Sequence, residues 1–422
     1  MANEHGPSFS TRPAVQIDLG AIKDNYQALQ KQVGSNVKVA ASVKADAYGL
    51  GAERVGKTLY GAGCRNFFVA TAGEGKLLRN AIGDNSSIYV LNGPSPRDLT
   101  LFFGSRLKPV INSLVQARMW AEAAATAKAA PYSAIHIDTG MNRLGFSQEE
   151  FEIFSKNKSL REDVNYEYVM SHLACAPDAD HPMNAAQLAK FKRSSARLPI
   201  GPMSLANTAG LYLGRKYHFQ MVRPGIGPYG GVATTNPDQE VTKPVISLLG
   251  AVLQLRNVKK GETVGYNASY TAPRDMTLAT IGAGYADGVP VAASSADGTA
   301  QHFVTFHGKR VPIIGRVSMD LTIVDMSRVK KQPRIGDWVE MQGEHLETDA
   351  AALNTINYEL LVRLGQRCRK IYIRHIIHFH LPKAHHPGKQ KAHEDNKGND
   401  RVTNRPCGDV LQIHRLAFRW RG

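Results

Sequence analysis

Strand-like and helix-like runs alternate along this chain from about residue 12 to about residue 235. The runs at 66–70, 87–91, 108–111, 133–137, 166–172 and 202–206 are short and apolar, as strands buried on both faces are, and 220–223 completes the series. Helix-like segments lie between them, most clearly the Ala-rich 114–130 and 184–197. Ser147-Gln-Glu-Glu150 has the capping-box spacing that starts a helix. This alternation predicts a parallel-sheet α/β architecture, and the span matches a (β/α)8 TIM-type barrel. A doubly wound sheet is the competing topology, but the Gly-x-Gly-x-x-Gly fingerprint expected after its first strand is absent.

The texture changes after Thr234-Thr-Asn-Pro-Asp-Gln239. Short alternating runs at 245–258, 277–281, 303–306, 310–314, 322–325 and 337–341 are separated by turn residues, which predicts a mainly-β C-terminal domain. Past Tyr372 the periodicity stops, and seven of the fifteen histidines fall in a polar, basic stretch. The expected organisation is an N-terminal arm (1–11), a barrel (12–238), a β-rich domain (239–373) and a disordered basic tail (374–422).

Composition removes several classes of function. The formal charge of +16 suggests a nucleic-acid partner, but residues 374–422 hold ten Lys/Arg against four Asp/Glu and so carry +6 of it. The remaining +10 is spread without a basic block, and no nucleic-acid-binding motif is present, so no nucleic-acid partner is expected. No run of 18 apolar residues marks a membrane span, and the first residues lack a signal-peptide pattern. Cys64, Cys175, Cys368 and Cys407 are far apart and form no Cys-x-x-Cys. Neither a metal site nor a disulfide framework is expected, and a cytoplasmic setting follows.

Lys44 ends the run Val37-Lys-Val-Ala-Ala-Ser-Val-Lys44 and is followed by Ala-Asp-Ala-Tyr48-Gly-Leu-Gly51, a strand and then a strand-to-helix loop. Alternation puts Lys38, Ala40, Ser42 and Lys44 on one face and Val37, Val39, Ala41 and Val43 on the other. The branched face suits packing against helices. The small face would point into the barrel, with Lys44 at its carboxyl rim, where a partly dry amine is suited to Schiff-base chemistry. A lysine at a strand end also serves simply by snorkelling to solvent, and this stretch alone favours that simpler role.

Other polar residues fall where strands end: Arg143, His172, Asn207, Thr208, and Arg223 with Gly225 and Ile226. Active sites of (β/α)8 barrels gather at that rim, often with a phosphate site after the last two strands. Thr208 is placed to N-cap Ala-Gly-Leu-Tyr, and backbone N–H groups there and at Gly225 and Ile226 would face an anion. Taken singly, each residue has an ordinary role as an ion pair, a core histidine or a plain cap. Together, a lysine, a phosphate cradle and two arginines suggest a phosphate-bearing aldehyde cofactor.

The motifs Val43-Lys44-Ala-Asp-Ala-Tyr48-Gly, Asp138-Thr-Gly-Met-Asn-Arg143-Leu-Gly, Ala206-Asn-Thr-Ala and Val222-Arg-Pro-Gly-Ile226 follow one another in order. Gly265-Tyr266-Asn-Ala-Ser-Tyr, Gly284-Tyr285-Ala-Asp-Gly, Gly315-Arg-Val-Ser-Met319-Asp320 and Ile356-Asn-Tyr358-Glu continue the series. Over about residues 12–373 the chain resembles the alanine racemases, barrel-type pyridoxal-phosphate enzymes. The resemblance implies an isomerase that interconverts L- and D-alanine, with Lys44 carrying pyridoxal 5'-phosphate and handling the D-enantiomer's α-proton. Tyr266 would serve the L-enantiomer from the opposite face. Arg223 would meet the pyridine nitrogen, with His172 supporting Arg223 and Tyr266. Tyr48, Asn207, Thr208, Gly225, Ile226 and Tyr358 would bind the cofactor, chiefly its phosphate. Arg143 would bridge the cofactor's phenolic oxygen and the substrate carboxylate, which the Met319 N–H would also bind.

The same resemblance implies a homodimer with shared sites, in which Tyr266, Tyr285, Met319 and Asp320 come from the partner subunit. It implies supply of D-alanine for the cell wall, or its catabolism. The alternative is a racemase of another or broader range, such as serine or basic amino acids. One departure concerns the lysine that some members carry as a carbamate seven residues before the site arginine: in this chain it is His136. Thr208 replaces the serine of many members, and the tail after Tyr372 has no counterpart.

Overall fold

A computed structural model describes residues 11–127, 130–199, 201–235, 241–296 and 302–374. The expected arm up to residue 10, the tail from residue 375 and Cys407 lie outside the described residues. Nine short parallel strand segments form a nearly closed barrel. The first two, Lys38–Val39 and Ala41–Ser42, are halves of one extended run interrupted only at Ala40. Lys38 and Val39 pair with Met221 and Val222, while Ala41 and Ser42 pair with Phe67 and Phe68. That double pairing brings the two ends of the sheet together, which an open doubly wound sheet would not do.

The faces fall as alternation requires. Ala40 packs inside the barrel with Phe68, Tyr89, Val110, Ala134, Tyr168, Met170 and Met221. Val39, Ala41 and Val43 face outward into the main apolar cluster, against helix residues such as Ile22, Leu29 and Val55. At the amino end of the strands, Tyr89 donates to Glu167 (2.6 Å), Lys108 pairs with Glu167, and Lys38 reaches the Tyr168 hydroxyl at 3.2 Å. The opposite, carboxyl end is the one that carries Lys44.

The expected helices stand at Leu114–Thr126 and Pro182–Ser195. Ser147 and Glu150 form the reciprocal capping box that opens helix Gln148–Lys156. The second half of the chain is a mainly-β domain built around one long strand, Ile246–Val258, which pairs with Met276–Ile281 and Trp338–Gln342. Strand Ala14–Asp18, although first in sequence, belongs to this sheet rather than to the barrel. It lies antiparallel to Ile246–Val258 and parallel to Arg369–Ile373. Among the described residues no helix is long and apolar enough to cross a membrane, and no group of metal-ligating side chains gathers.

Asn25, on helix Leu19–Val33, ties the barrel to the segment leading into the β-rich part. Its buried amide accepts from the Lys243 N–H (2.8 Å) and donates to the Lys243 and Pro228 carbonyls (2.8 and 3.3 Å). Asn25→Leu leaves these groups unpaired and is expected to lower the unfolding free energy by about 2 kcal/mol. The midpoint of a urea unfolding curve checks this, and an unchanged midpoint contradicts it.

Candidate active site

Immediately after Lys44 the backbone does something few sequences tolerate. Ala45, Asp46, Ala47 and Tyr48 have φ of 51°, 54°, 53° and 57°, a full left-handed turn without a glycine, and Gly49 follows at 84°. Each such residue costs about 1–2 kcal/mol, so the four together store about 4–8 kcal/mol. Hydrogen bonds hold the turn in place. The Ala45 N–H donates to Glu74 Oε1 (2.9 Å), and the Ala52 N–H donates to Asp46 Oδ1 (2.7 Å). Lys370 pairs with Asp46 Oδ2 at 2.9 Å, and the Gly51 N–H donates to the Asp46 carbonyl at 2.8 Å. Glu74 is itself fixed, because its other oxygen accepts from the Ala70 N–H (2.8 Å) and it closes a capping box with Thr71. The turn delivers Tyr48 to the glycine turn after the last strand: a Cβ on Gly225 would come within 2.5 Å of the Tyr48 hydroxyl.

The rim is cationic. Burial lowers the pKa of the Lys44 amine, and Arg143 lowers it further, against an opposing pull from Glu74. Arg223 is buried; it donates to Ser204 Oγ and to the Ser171 carbonyl, both at 2.5 Å. No carboxylate pairs with it among the described residues, and burial brings its pKa down to about 9. His172 is held neutral by burial and then by Arg223 and Arg143, and His136 falls to about 3 for the same reasons. Arg223, buried without a contacting carboxylate, is costly to hold charged unless an anion joins it, while Lys44 is half-buried and Arg143 exposed beside it. Arg143 itself sits on a loop organised by Asp138, whose carboxylate accepts from the N–H groups of Gly140 (2.8 Å), Met141 (2.9 Å) and Asn142 (3.0 Å).

Beside this cluster is a cradle of backbone donors. Thr208 Oγ1 accepts from the N–H groups of Gly225 (2.9 Å) and Gly227 (3.3 Å), which leaves its own proton to donate outward. The Ile226 N–H has no acceptor among the described residues. Thr208 does precede a helix, but only the three-residue 3-10 turn Ala209–Leu211, and its side chain does not cap it. Asn207 takes that role by accepting from the Gly210 N–H at 2.9 Å. Tyr229 donates to the Ser42 carbonyl (2.7 Å), and its ring lies 4.7 Å from that of Tyr48, while the Tyr358 ring lies 6.1 Å from Tyr48. A depressed primary amine, unpaired cations and a hydroxyl–amide cradle fit a phosphorylated aldehyde such as pyridoxal phosphate.

The residues singled out from sequence fall into two groups. Lys44, Tyr48, Arg143, His172, Asn207, Thr208, Arg223, Gly225, Ile226 and Tyr358 gather at the barrel's carboxyl rim. Tyr266, Tyr285, Met319 and Asp320 sit in the β-rich part, 68%, 45%, 54% and 57% exposed. No hydrogen bond, ion pair or ring contact joins them to the first group among the described residues. Sequence reasoning passed over Glu74, Ser171 and Ser204. Glu74 carried a signal, the Thr71-x-x-Glu74 capping spacing; the two serines carried none.

The alanine racemase N-terminal domain model matches residues 17–233 and the C-terminal domain model residues 245–372. The chain is 44% identical over 363 residues to the catabolic alanine racemase of Agrobacterium fabrum, covering 85% of this chain and 91% of that protein. It is 42% identical over 362 residues to the alanine racemase of Rhodospirillum rubrum, covering 84% and 94%. Among solved structures, alanine racemase from Bartonella henselae with covalently bound pyridoxal phosphate superposes with a TM-score of 0.80. It is 39% identical and covers 87% of this chain and all of that one. The biosynthetic alanine racemase from Pseudomonas aeruginosa gives 0.79 at 32% identity, covering 86% of this chain and all of that one.

The charges around Lys44 set the sign of a titration. In cofactor-free protein, the pH dependence of Lys44 reductive methylation is expected to report a pKa below that of a free lysine. Arg143→Ala removes a repelling cation and moves it up, while Glu74→Gln keeps the hydrogen bond to Ala45 but removes the anion and moves it down. Shifts in the reverse directions contradict this electrostatic picture.

Proposed function

The chain belongs to the alanine racemase family, and on that premise we propose that it interconverts L- and D-alanine with Lys44 on one face of the substrate and Tyr266 of a second copy on the other. As an alanine racemase it is a pyridoxal-phosphate-dependent isomerase acting on amino acids. The cofactor, when bound, withdraws electrons from the substrate's α-carbon so that its proton can leave. The observation that carries the reading is the division of the candidate residues between two places: a depressed lysine amine among unpaired cations at one rim, and a well exposed tyrosine that its own chain does not bring there.

Racemisation needs two groups on opposite faces, one removing a proton and the other returning one. Lys44 Nζ is suited to the first role because burial and Arg143 favour its neutral form. It would take the proton of D-alanine, and Tyr266 Oη would supply one from the other side; from L-alanine the roles reverse. Arg223 offers only donors to the ring nitrogen it would face, so it gives no proton-accepting partner to a protonated ring. Arg143 would hold the substrate carboxylate. Thr208, Ile226 and Tyr48 would hold the phosphate, with Tyr358 and the Gly225 turn completing the cradle. Neutral His172 would line the site without adding charge.

A homodimer follows from this division of labour. Tyr266, Tyr285 and Met319 are exposed on neighbouring segments: Gly265 lies against Gly315 and Arg316, and the Tyr285 N–H donates to the Ser318 carbonyl at 3.0 Å. The Met319 N–H has no acceptor among the described residues and is available to a carboxylate. Cys64, Cys175 and Cys368 are unpaired thiols, which suits a reducing cytoplasm.

Purified, cofactor-loaded protein is expected to bring either alanine enantiomer to an equal mixture, followed by circular dichroism. Lys44→Ala should abolish this. Tyr266→Phe should keep the cofactor's visible absorbance while lowering kcat by roughly a hundredfold to ten-thousandfold. Wild-type turnover of serine or arginine at the alanine rate would move the reading to a broad-range racemase.

A further inference from the structure

Arg367 has no part in the proton transfers assigned to Lys44 and Tyr266, yet it joins the two loops that carry Tyr285, Met319 and Asp320. These loops, 284–287 and 318–321, lie edge to edge. The Tyr285 N–H donates to the Ser318 carbonyl and the Ala286 N–H to the Met319 carbonyl, both at 3.0 Å. Gly284 permits the approach: a Cβ there would come within 2.3 Å of the Ser318 carbonyl oxygen and 2.5 Å of that of Met319. The Ser318 carbonyl and the Met319 N–H belong to one trans peptide and point in opposite directions. Tying the carbonyl to Tyr285 therefore turns the Met319 N–H away from the neighbouring loop, where it has no acceptor among the described residues.

Arg367 spans both loops. Its Nε and Nη2 donate to Asp287 Oδ1 (2.7 Å) and Oδ2 (2.8 Å), and Nη2 also makes an ion pair with Asp320 Oδ1 at 2.7 Å. Asp287 is fully buried, and its Oδ2 accepts from the Gly284 N–H at 2.9 Å. One carboxylate thus closes the first loop and grips the guanidinium, while the guanidinium's reach to Asp320 fixes the residue next to Met319. The backbone behind Arg367 is seated as well. The Gly365 N–H donates to the Asp287 carbonyl (3.0 Å), a Cβ on Gly365 would come within 2.3 Å of the Ala286 carbonyl oxygen, and Arg12 Nε donates to the Arg367 carbonyl (2.6 Å). An ion pair wholly in water contributes little; this one is two-pronged onto a carboxylate that is out of water.

We propose that Arg367 is a positioning residue for the substrate carboxylate: by joining buried Asp287 to Asp320 it holds the 318–321 loop so that the Met319 N–H stands as a fixed donor in the site it completes. The planar guanidinium suits this task, because it grips one carboxylate with two N–H groups and still reaches a second. A lysine ammonium, a single point of charge, does not hold that geometry. Arg367 also offsets the negative charge of Asp320, one residue from the donor that must meet an anion. This inference rests on the reading of the Met319 N–H as a donor to the substrate carboxylate.

The test joins hydrogen–deuterium exchange to kinetics on the full chain. Arg367→Lys is the principal variant, because it keeps a cation beside buried Asp287. Exchange of the Tyr285 and Ala286 amides is expected to speed up by roughly tenfold in Arg367→Lys, as loss of a charge-assisted hydrogen bond predicts, while the barrel strands exchange as in wild type. On cofactor-loaded enzyme the variant is expected to raise KM for alanine by roughly tenfold. The inhibition constant of propionate, which is alanine without its amino group, should rise by the same factor, with a smaller change in kcat and unchanged cofactor absorbance. In Arg367→Ala, added guanidinium is expected to restore amide protection and KM together. Unchanged exchange at Tyr285 and Ala286, a normal KM, a loss confined to kcat, or guanidinium that restores neither property overturns the proposal. Should wild type not racemise alanine, that failure belongs to the functional reading, and the exchange comparison still decides whether Arg367 holds the two loops.

Discussion

The site depends on a left-handed turn that the chain would not adopt unaided. Ala45 to Tyr48 carry about 4–8 kcal/mol of backbone strain, held in place by Glu74 from one side and by Asp46 from within. The turn sets Lys44 at the rim, brings Tyr48 under the Gly225 turn, and presents Asp46 to Lys370. Lys370 lies on the last strand, which pairs with the first, so the strained segment is anchored to the sheet of the β-rich part. Tyr372, on the same strand, adds a hydrogen bond to the Leu50 carbonyl at 3.0 Å. Strain of this kind persists only where the surroundings over-determine it, and two separate parts of the fold do so in this chain.

Charge supplies the second constraint. The barrel's two ends are polar in different ways. At the amino end the cations are matched: Lys108 meets Glu167, and Lys38 meets the Tyr168 hydroxyl. At the carboxyl end Arg223 is buried with only neutral partners, and both nearby histidines are kept uncharged. The folded chain therefore holds a site whose electrostatic balance is completed by anions, which for an alanine racemase are the cofactor's phosphate and the substrate's carboxylate. The neutral histidines line that site without competing for them.

Much of this was legible in the sequence because the barrel strands are buried on both faces and therefore read as unbroken apolar runs. The inward register of Lys38, Ala40 and Ser42 followed from alternation alone, and Ala40 indeed packs with Phe68, Tyr89 and Met221. The helix start at Ser147 was visible as a capping box. Other features left no such trace. Ala14–Asp18 is a short apolar strand that would look the same in either sheet, and only its pairing with Ile246–Val258 and Arg369–Ile373 assigns it. The left-handed turn is written in Ala, Asp and Tyr, none of which announces four successive positive φ values. The Thr208 hydroxyl faces Gly225 rather than its own helix, a choice made by long-range packing.

The central claim is that one site is assembled from two chains, with Lys44 from one and Tyr266 from the other. Co-expression of a Lys44→Ala chain with a Tyr266→Phe chain, each carrying its own affinity tag, tests it most directly. In a mixed dimer one site would lack both groups and the other would have both intact. Randomly assorted dimers are therefore expected to show about a quarter of wild-type alanine racemisation, and doubly purified heterodimers about half. Activity no greater than that of either parent, in heterodimers verified by both tags, would contradict the account and mean that each site is built within a single chain.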